Sequence, residues 1–153
     1  MTLKHIEDEN FNHYKAPSML LAFPNCDFKC GRENCQNAEL DKAQNIETNT
    51  SDVVKRYLNN PITSAVVCAG LEPLNCFSPL YAFIEQLRKY AKDTVIIYTG
   101  YTEEESEYCL KFLRRYKNII VKFGRFLPSQ EPHYDELLGM YLASPNQYAK
   151  QIS

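Results

Sequence analysis

Four short apolar runs recur along the chain, each followed by a polar or glycine-bearing loop and separated by stretches of helical period. Ser18 to Phe23, Ala65 to Ala69, Thr94 to Tyr98 and Ile119 to Phe123 read as buried strands, because each is short, apolar and rich in β-formers. A helix opens at Ser51-Asp52, carries the apolar face Val53, Val54, Tyr57 and Leu58, and stops at Asn59-Asn60-Pro61. A second starts with Ser78 as N-cap and Pro79 at its first position, with the stripe Leu80, Phe83, Ile84 and Leu87. Thr102 and Glu105 form a capping-box pattern for a third, with the stripe Tyr108, Cys109, Phe112, Leu113 and Tyr116. The polar start reads as exposed, and Tyr14-Lys15-Ala16-Pro17 leads into the first strand. Gln36 to Thr50 reads mainly as loop with at most one helical turn. Beyond Pro128, Gly139 to Ala143 reads as a last strand and Ser144-Pro145-Asn146-Gln147 as a turn or helix start.

Strand, loop and helix in repetition predict an α/β chain with a largely parallel sheet and right-handed crossovers. Loops that follow parallel strands emerge together at the carboxyl edge, where such folds place their sites. Four stretches are thereby brought to one edge: the loop after Phe23, Gly70-Leu71-Glu72-Pro73, Thr99-Gly100-Tyr101 and Gly124-Arg125-Phe126.

Composition narrows the class. The length of 153 residues suits one domain over 1–153, and 44% apolar with 24% charged residues is ordinary for a globular protein. A formal net charge of -2 gives no polyelectrolyte argument for nucleic acid or an anionic membrane. The first ten residues are too polar and acidic for a signal peptide, and no apolar run is long enough to span a bilayer. The expectation is a cytoplasmic protein, in which six cysteines read as ligands, core residues or reactive thiols rather than disulfides.

Three of the six, Cys26, Cys30 and Cys35, fall in one loop directly after the first strand. Soft thiolates gathered in this way suit zinc or an iron–sulfur cluster. A closed zinc site wants four ligands, and no fourth cysteine or histidine sits nearby at the usual spacing. A cubane held by three thiolates leaves one iron open to another ligand. Cys68 lies within a strand and Cys109 in a helix stripe, so both read as core thiols, while Cys76 lies near the Gly70–Pro73 loop. His5, His13 and His133 are scattered and form no ligand set.

The order of these motifs resembles radical S-adenosylmethionine (SAM) enzymes, and among them the activating proteins of anaerobic ribonucleotide reductase. Cys26-x3-Cys30 is similar to the first half of that family's Cys-x3-Cys-x2-Cys signature, with Gln36-Asn37 following the third cysteine. Gly70-Leu71-Glu72-Pro73-Leu74 resembles its Gly-Gly-Glu-Pro-Leu, and Tyr98-Thr99-Gly100-Tyr101 its aromatic-Thr-Gly-Tyr segment. Gly124-Arg125-Phe126 and Ser144-Pro145-Asn146-Gln147 resemble its Gly-Arg-Phe and Ser-Ser-Asn-Gln segments. The chain departs from the pattern in having four residues between Cys30 and Cys35, and Leu71 where the second glycine stands.

The resemblance implies a compact partial (β/α) barrel with a largely parallel sheet, of the radical SAM type. It implies a [4Fe–4S] cluster on Cys26, Cys30 and Cys35, and SAM held by Asn34, Cys35, Gln36, Gly70, Leu71, Glu72, Tyr98, Thr99 and Arg125. The implied activity is reductive cleavage of SAM to a 5′-deoxyadenosyl radical, which generates a glycyl radical on the large subunit of an anaerobic ribonucleotide reductase. An electron donor such as flavodoxin or ferredoxin is the further partner, with no role for nucleic acid or membrane. Two other readings stay open: a radical SAM enzyme acting on a small molecule, and a noncatalytic iron–sulfur or zinc-binding protein. For the single residues a structural reading stands beside the functional one: Gly70–Pro73 as a strand-to-helix turn, Tyr98 and Thr99 as packing, Arg125 as partner of a surface acid.

Overall fold

The structure is a computed structural model that describes residues 1–153. In chain order the elements are strands β1 (Thr2–Leu3), β2 (His5–Asn10), β3 (Ser18–Phe23) and β4 (Ile46–Glu47), helix α1 (Thr50–Leu58), and strand β5 (Ala65–Gly70). Helix α2 (Phe77–Leu87), strand β6 (Thr94–Tyr98), helix α3 (Glu103–Leu113) and strand β7 (Ile119–Phe123) follow. Strands β8 (His133–Asp135), β9 (Met140–Leu142) and β10 (Tyr148–Gln151) close the chain. No helix is long and apolar enough to cross a membrane.

Six strands form one sheet in the order β10-β7-β6-β5-β3-β2. The four central strands are parallel neighbours, whereas β2 and β10 pair antiparallel at the two edges. The compact partial barrel of the radical SAM type is therefore not what forms. The fold is an open mixed sheet of six strands with three α-helices. The edges explain the difference. His5-Ile6-Glu7-Asp8-Glu9-Asn10 and Tyr148-Ala149-Lys150-Gln151 are polar, half-exposed strands that carry no apolar run to announce them. Charged residues on an edge strand discourage further pairing, so the sheet ends there instead of curling onward.

The sheet has two different faces. Met19, Leu21, Phe23, Val66, Cys68, Val95, Ile97, Ile119, Val121 and Phe123 share one apolar core with the buried stripes of all three helices. Each such leucine or phenylalanine removed from water stabilises the fold by about 1.5–3 kcal/mol. On the opposite face Leu20, Ala65, Val67, Ile96 and Ile120 are covered by Leu138 and Leu142, from the β8–β9 hairpin. The alternation is the ordinary two-residue period of a strand.

Local chemistry shifts several boundaries. Pro73 to Cys76 form a 3-10 turn that runs directly into α2, and Glu72 caps it by accepting the Leu74 N–H at 3.0 Å. Ser78 is consequently inside α2 and is not its N-cap. The capping box of α3 is present, with the Glu105 N–H donated to Thr102 Oγ1 and the Thr102 N–H to Glu105 Oε2. Its buried stripe is Ser106, Leu110 and Leu113, while Tyr108 is 72% exposed. The segment between the cysteine loop and α1 holds a 3-10 turn at Ala38–Lys42 and the short strand β4.

Candidate functional site

Loops after β3, β5, β6 and β7 meet at the carboxyl edge and are knitted by backbone hydrogen bonds. Leu71 N–H donates to Phe23 O at 3.2 Å, Glu72 N–H to Asn25 O at 2.9 Å, and Gly124 N–H to Tyr101 O at 3.0 Å. Gly70 lets the end of β5 lie directly against the end of β3. Its φ is 105°, and a Cβ there would lie 2.5 Å from the Phe23 backbone nitrogen. No L side chain adopts that conformation without strain.

These loops surround a cavity of about 310 Å³. Cys26, Cys30, Cys35, Gln36, Gly70, Leu71, Glu72, Tyr98 and Arg125 all line it. Asn34 and Thr99 do not. Asn34 donates its amide to Cys30 O at 3.4 Å and so braces the thiol loop. Thr99 is buried and accepts the Tyr101 N–H at 3.0 Å, with its hydroxyl also helping to stabilise the Glu72 carboxylate.

Gly31 to Asn34 supply the widened spacing. Gly31 has φ 82°, a conformation that favours glycine, and Arg32–Asn34 form a 3-10 turn with Arg32 and Glu33 exposed. Arg32 stacks over Phe28 at 3.8 Å and pairs with Asp41 at 2.5 Å. Phe28, at φ 51°, donates its N–H to Cys26 Sγ at 3.2 Å. Burial pushes the Cys26 thiol up to about 11 and raises that of Cys30, the latter with a further contribution from Cys35.

The thiols are free, half-buried, and share one cavity wall. No three Cys, His, Asp or Glu side chains converge closely enough to hold a single metal ion. A cubane spreads its sulfur ligands over separate irons, so a set of three thiolates around an open cavity fits such a cluster and leaves one iron unligated by the chain.

Glu72 is only 2% exposed, and each carboxylate oxygen accepts one backbone N–H: Leu74 on Oε1 at 3.0 Å, Gly100 on Oε2 at 2.9 Å. Burial nevertheless raises its pKa above the ordinary carboxylate value, with those hydrogen bonds opposing the shift. A carboxylate has about four lone-pair directions, so the two amides and the Thr99 hydroxyl leave about one for a ligand. Arg125 is committed elsewhere. Its guanidinium donates to Glu105 Oε1 at 2.6 Å, and that pairing holds the Glu105 carboxyl down to about 2. Tyr101 donates at the rim to Asp27 Oδ2 at 2.7 Å, within hydrogen-bond distance of Asn75 Oδ1 as well.

Several lining residues were not among the predicted ones. Asn37 donates to Gly70 O at 3.0 Å and ties the thiol loop to the end of β5. His13, Met140 and Gln147 line it as well. Lys122 also lines the cavity, buried at 7% exposure near the end of β7. One signal for it was present in the sequence, a lysine inside the otherwise apolar run Ile119-Ile120-Val121-Lys122-Phe123.

The family model described as a 4Fe-4S single cluster domain matches residues 18–141. No curated protein and no solved structure matches the chain.

Proposed function

The chain belongs to the 4Fe-4S single cluster domain family, and from that premise we propose that it is a SAM-cleaving activase that generates a glycyl radical on an anaerobic ribonucleotide reductase. The observation that carries the reading is the shared cavity: three thiols, the Gly70–Glu72 turn, Tyr98 and Arg125, distant in sequence, line one space. When bound, the cluster supplies the electron that cleaves the SAM sulfonium to methionine and a 5′-deoxyadenosyl radical.

The chain's own residues bind, orient and exclude water. Cys26, Cys30 and Cys35 would hold the cluster, with no fourth thiolate of the chain in the cavity. Glu72, fixed by the Leu74 and Gly100 amides, accepts from the SAM amino group with its remaining lone pair. Gly70 lets main chain approach the ligand, and Phe126, Met140 and Leu142 supply apolar wall. A radical that must reach another protein's backbone requires that protein to complete the enclosure, and the loops at the carboxyl edge are where it would dock. A flavodoxin or ferredoxin is the electron donor that this chemistry calls for.

Purification without oxygen tests the reading. The expected result is about four irons per chain, the stoichiometry of one cubane, with 5′-deoxyadenosine formed from SAM only when dithionite is present. Alanine at Cys26, Cys30 or Cys35 abolishes both, whereas Cys68→Ala, in the core, alters stability alone. Incubation with the reductase of the same genome then gives a glycyl doublet by electron paramagnetic resonance. Accumulation of 5′-deoxyadenosine with no radical on that or any other glycyl-radical enzyme moves the substrate to a small molecule. Bound zinc without SAM cleavage leaves a noncatalytic protein.

A further inference from the structure

Three side chains with permanent or readily acquired positive charge, Lys29, Arg125 and Lys122, line the cavity together with the half-buried His13. Two of them already have carboxylate partners. Lys29 lies 3.6 Å from Asp27 and 3.7 Å from Glu105, and Arg125 lies 2.6 Å from Glu105. Lys122 forms no ion pair with any carboxylate of the chain. Its one hydrogen bond is donated to Gly124 O at 2.9 Å, which leaves two N–H groups of the ammonium without acceptors. The Tyr98 ring, 5.9 Å away, adds only a weak attraction.

A buried cation with no carboxylate in ion-pair contact, Glu72 acting on it only from a distance, costs the fold stability, and an apolar side chain of similar volume would serve packing better. The cost makes sense if the missing partner arrives with the ligand. Position supports this. Lys122 pairs in register with Tyr98 on β6 and Ala149 on β10, on the face turned away from the helices. Ile120, two residues earlier, is already sealed under the β8–β9 hairpin, so Lys122 is where that face opens into the cavity.

We propose that Lys122 receives the carboxylate of the ligand held in this cavity. The inference rests on the reading of SAM as that ligand. Arg125 then acts as a brace, tying the loop after β7 to the first turn of α3 through Glu105.

The test compares wild type with Lys122→Met in the anaerobically reconstituted protein. Binding is measured calorimetrically for SAM, decarboxylated SAM and L-methionine. The variant should lose roughly tenfold or more in affinity for SAM, the equivalent of one charge-assisted hydrogen bond. It should bind decarboxylated SAM as wild type does. Iron content should be unchanged, and without ligand the variant should melt higher than wild type, an outcome that a structural lysine would reverse. Equal SAM affinity in the two proteins overturns the inference while leaving SAM as the ligand. Lys122-dependent binding of methionine without binding of SAM keeps the inference and removes the SAM reading. If wild type binds none of the three, or the variant unfolds, the inference is wrong.

Discussion

Burial lowers the Lys122 pKa from its ordinary 10.5 to about 8, with the nearby Glu72 charge opposing part of the shift. The unfolded chain keeps this proton up to about pH 10.5, whereas the folded chain releases it above about 8. Between those values the unfolded state binds more protons, so this group's contribution favours folding increasingly as pH rises. Below pH 8 the buried ammonium weighs against the fold, by an amount on the order of 3 kcal/mol. Glu72 from the loop after β5 and Tyr98 from β6 are the titratable groups facing it, and burial raises the pKa of both. Other tyrosines and thiols titrate in the same range, so the informative quantity is the difference between Lys122→Met and wild type. That difference in melting temperature should be largest below pH 8 and fade toward pH 10.5. A constant difference across the range would mean that the lysine is not held as a buried cation.

At the level of elements, the first turn of α3 and the thiol loop are joined through charged side chains. Glu105 closes the capping box, binds Arg125, and lies 3.7 Å from Lys29 in the thiol loop. The loop's extra length forms its own 3-10 turn, held outside by Arg32 on Phe28 and Asp41. Those exposed contacts contribute little, because water screens the charges and competes for them. Deleting Arg32 and Glu33 should therefore retain iron and lower the melting temperature only slightly. Iron loss with an unchanged circular dichroism spectrum would show that Cys35 reaches the cluster only through the longer turn. The thiols and the Thr102–Glu105 box were legible in the sequence, since both depend on short fixed spacings. The start of α2 was not, because the Glu72 cap and the 3-10 turn replaced the Ser78-Pro79 signal.

Across the whole molecule the cavity opens at one edge of the sheet, with half-buried Phe28, Tyr101 and Phe126 near its mouth and Leu127 44% exposed beside them. The proposed docking of a reductase on this edge predicts that Leu127→Asp raises the reductase concentration needed for half-maximal glycyl radical formation several-fold. Cleavage of SAM in the absence of reductase should be unaffected, because Leu127 does not line the cavity. Equal radical yield at limiting reductase would place the docking surface elsewhere.

The sequence by itself determined the four central strands, the three helices and the thiol loop, because burial on both faces of a parallel strand leaves a continuous apolar run. The three-cysteine loop that points to an iron–sulfur cluster was legible too, since its spacing is local. Tertiary structure alone decided the rest. Whether the sheet closes depends on what pairs with its edges, and the polar strands β2 and β10 end it as an open mixed sheet. The partner of each charge is likewise a matter of distance in space. Arg125 and Lys122 stand three residues apart, yet one meets Glu105 across the fold and the other faces the cavity with no acid in ion-pair contact. Local spacing sets which residues share a strand, but long-range packing sets which charges remain unpaired.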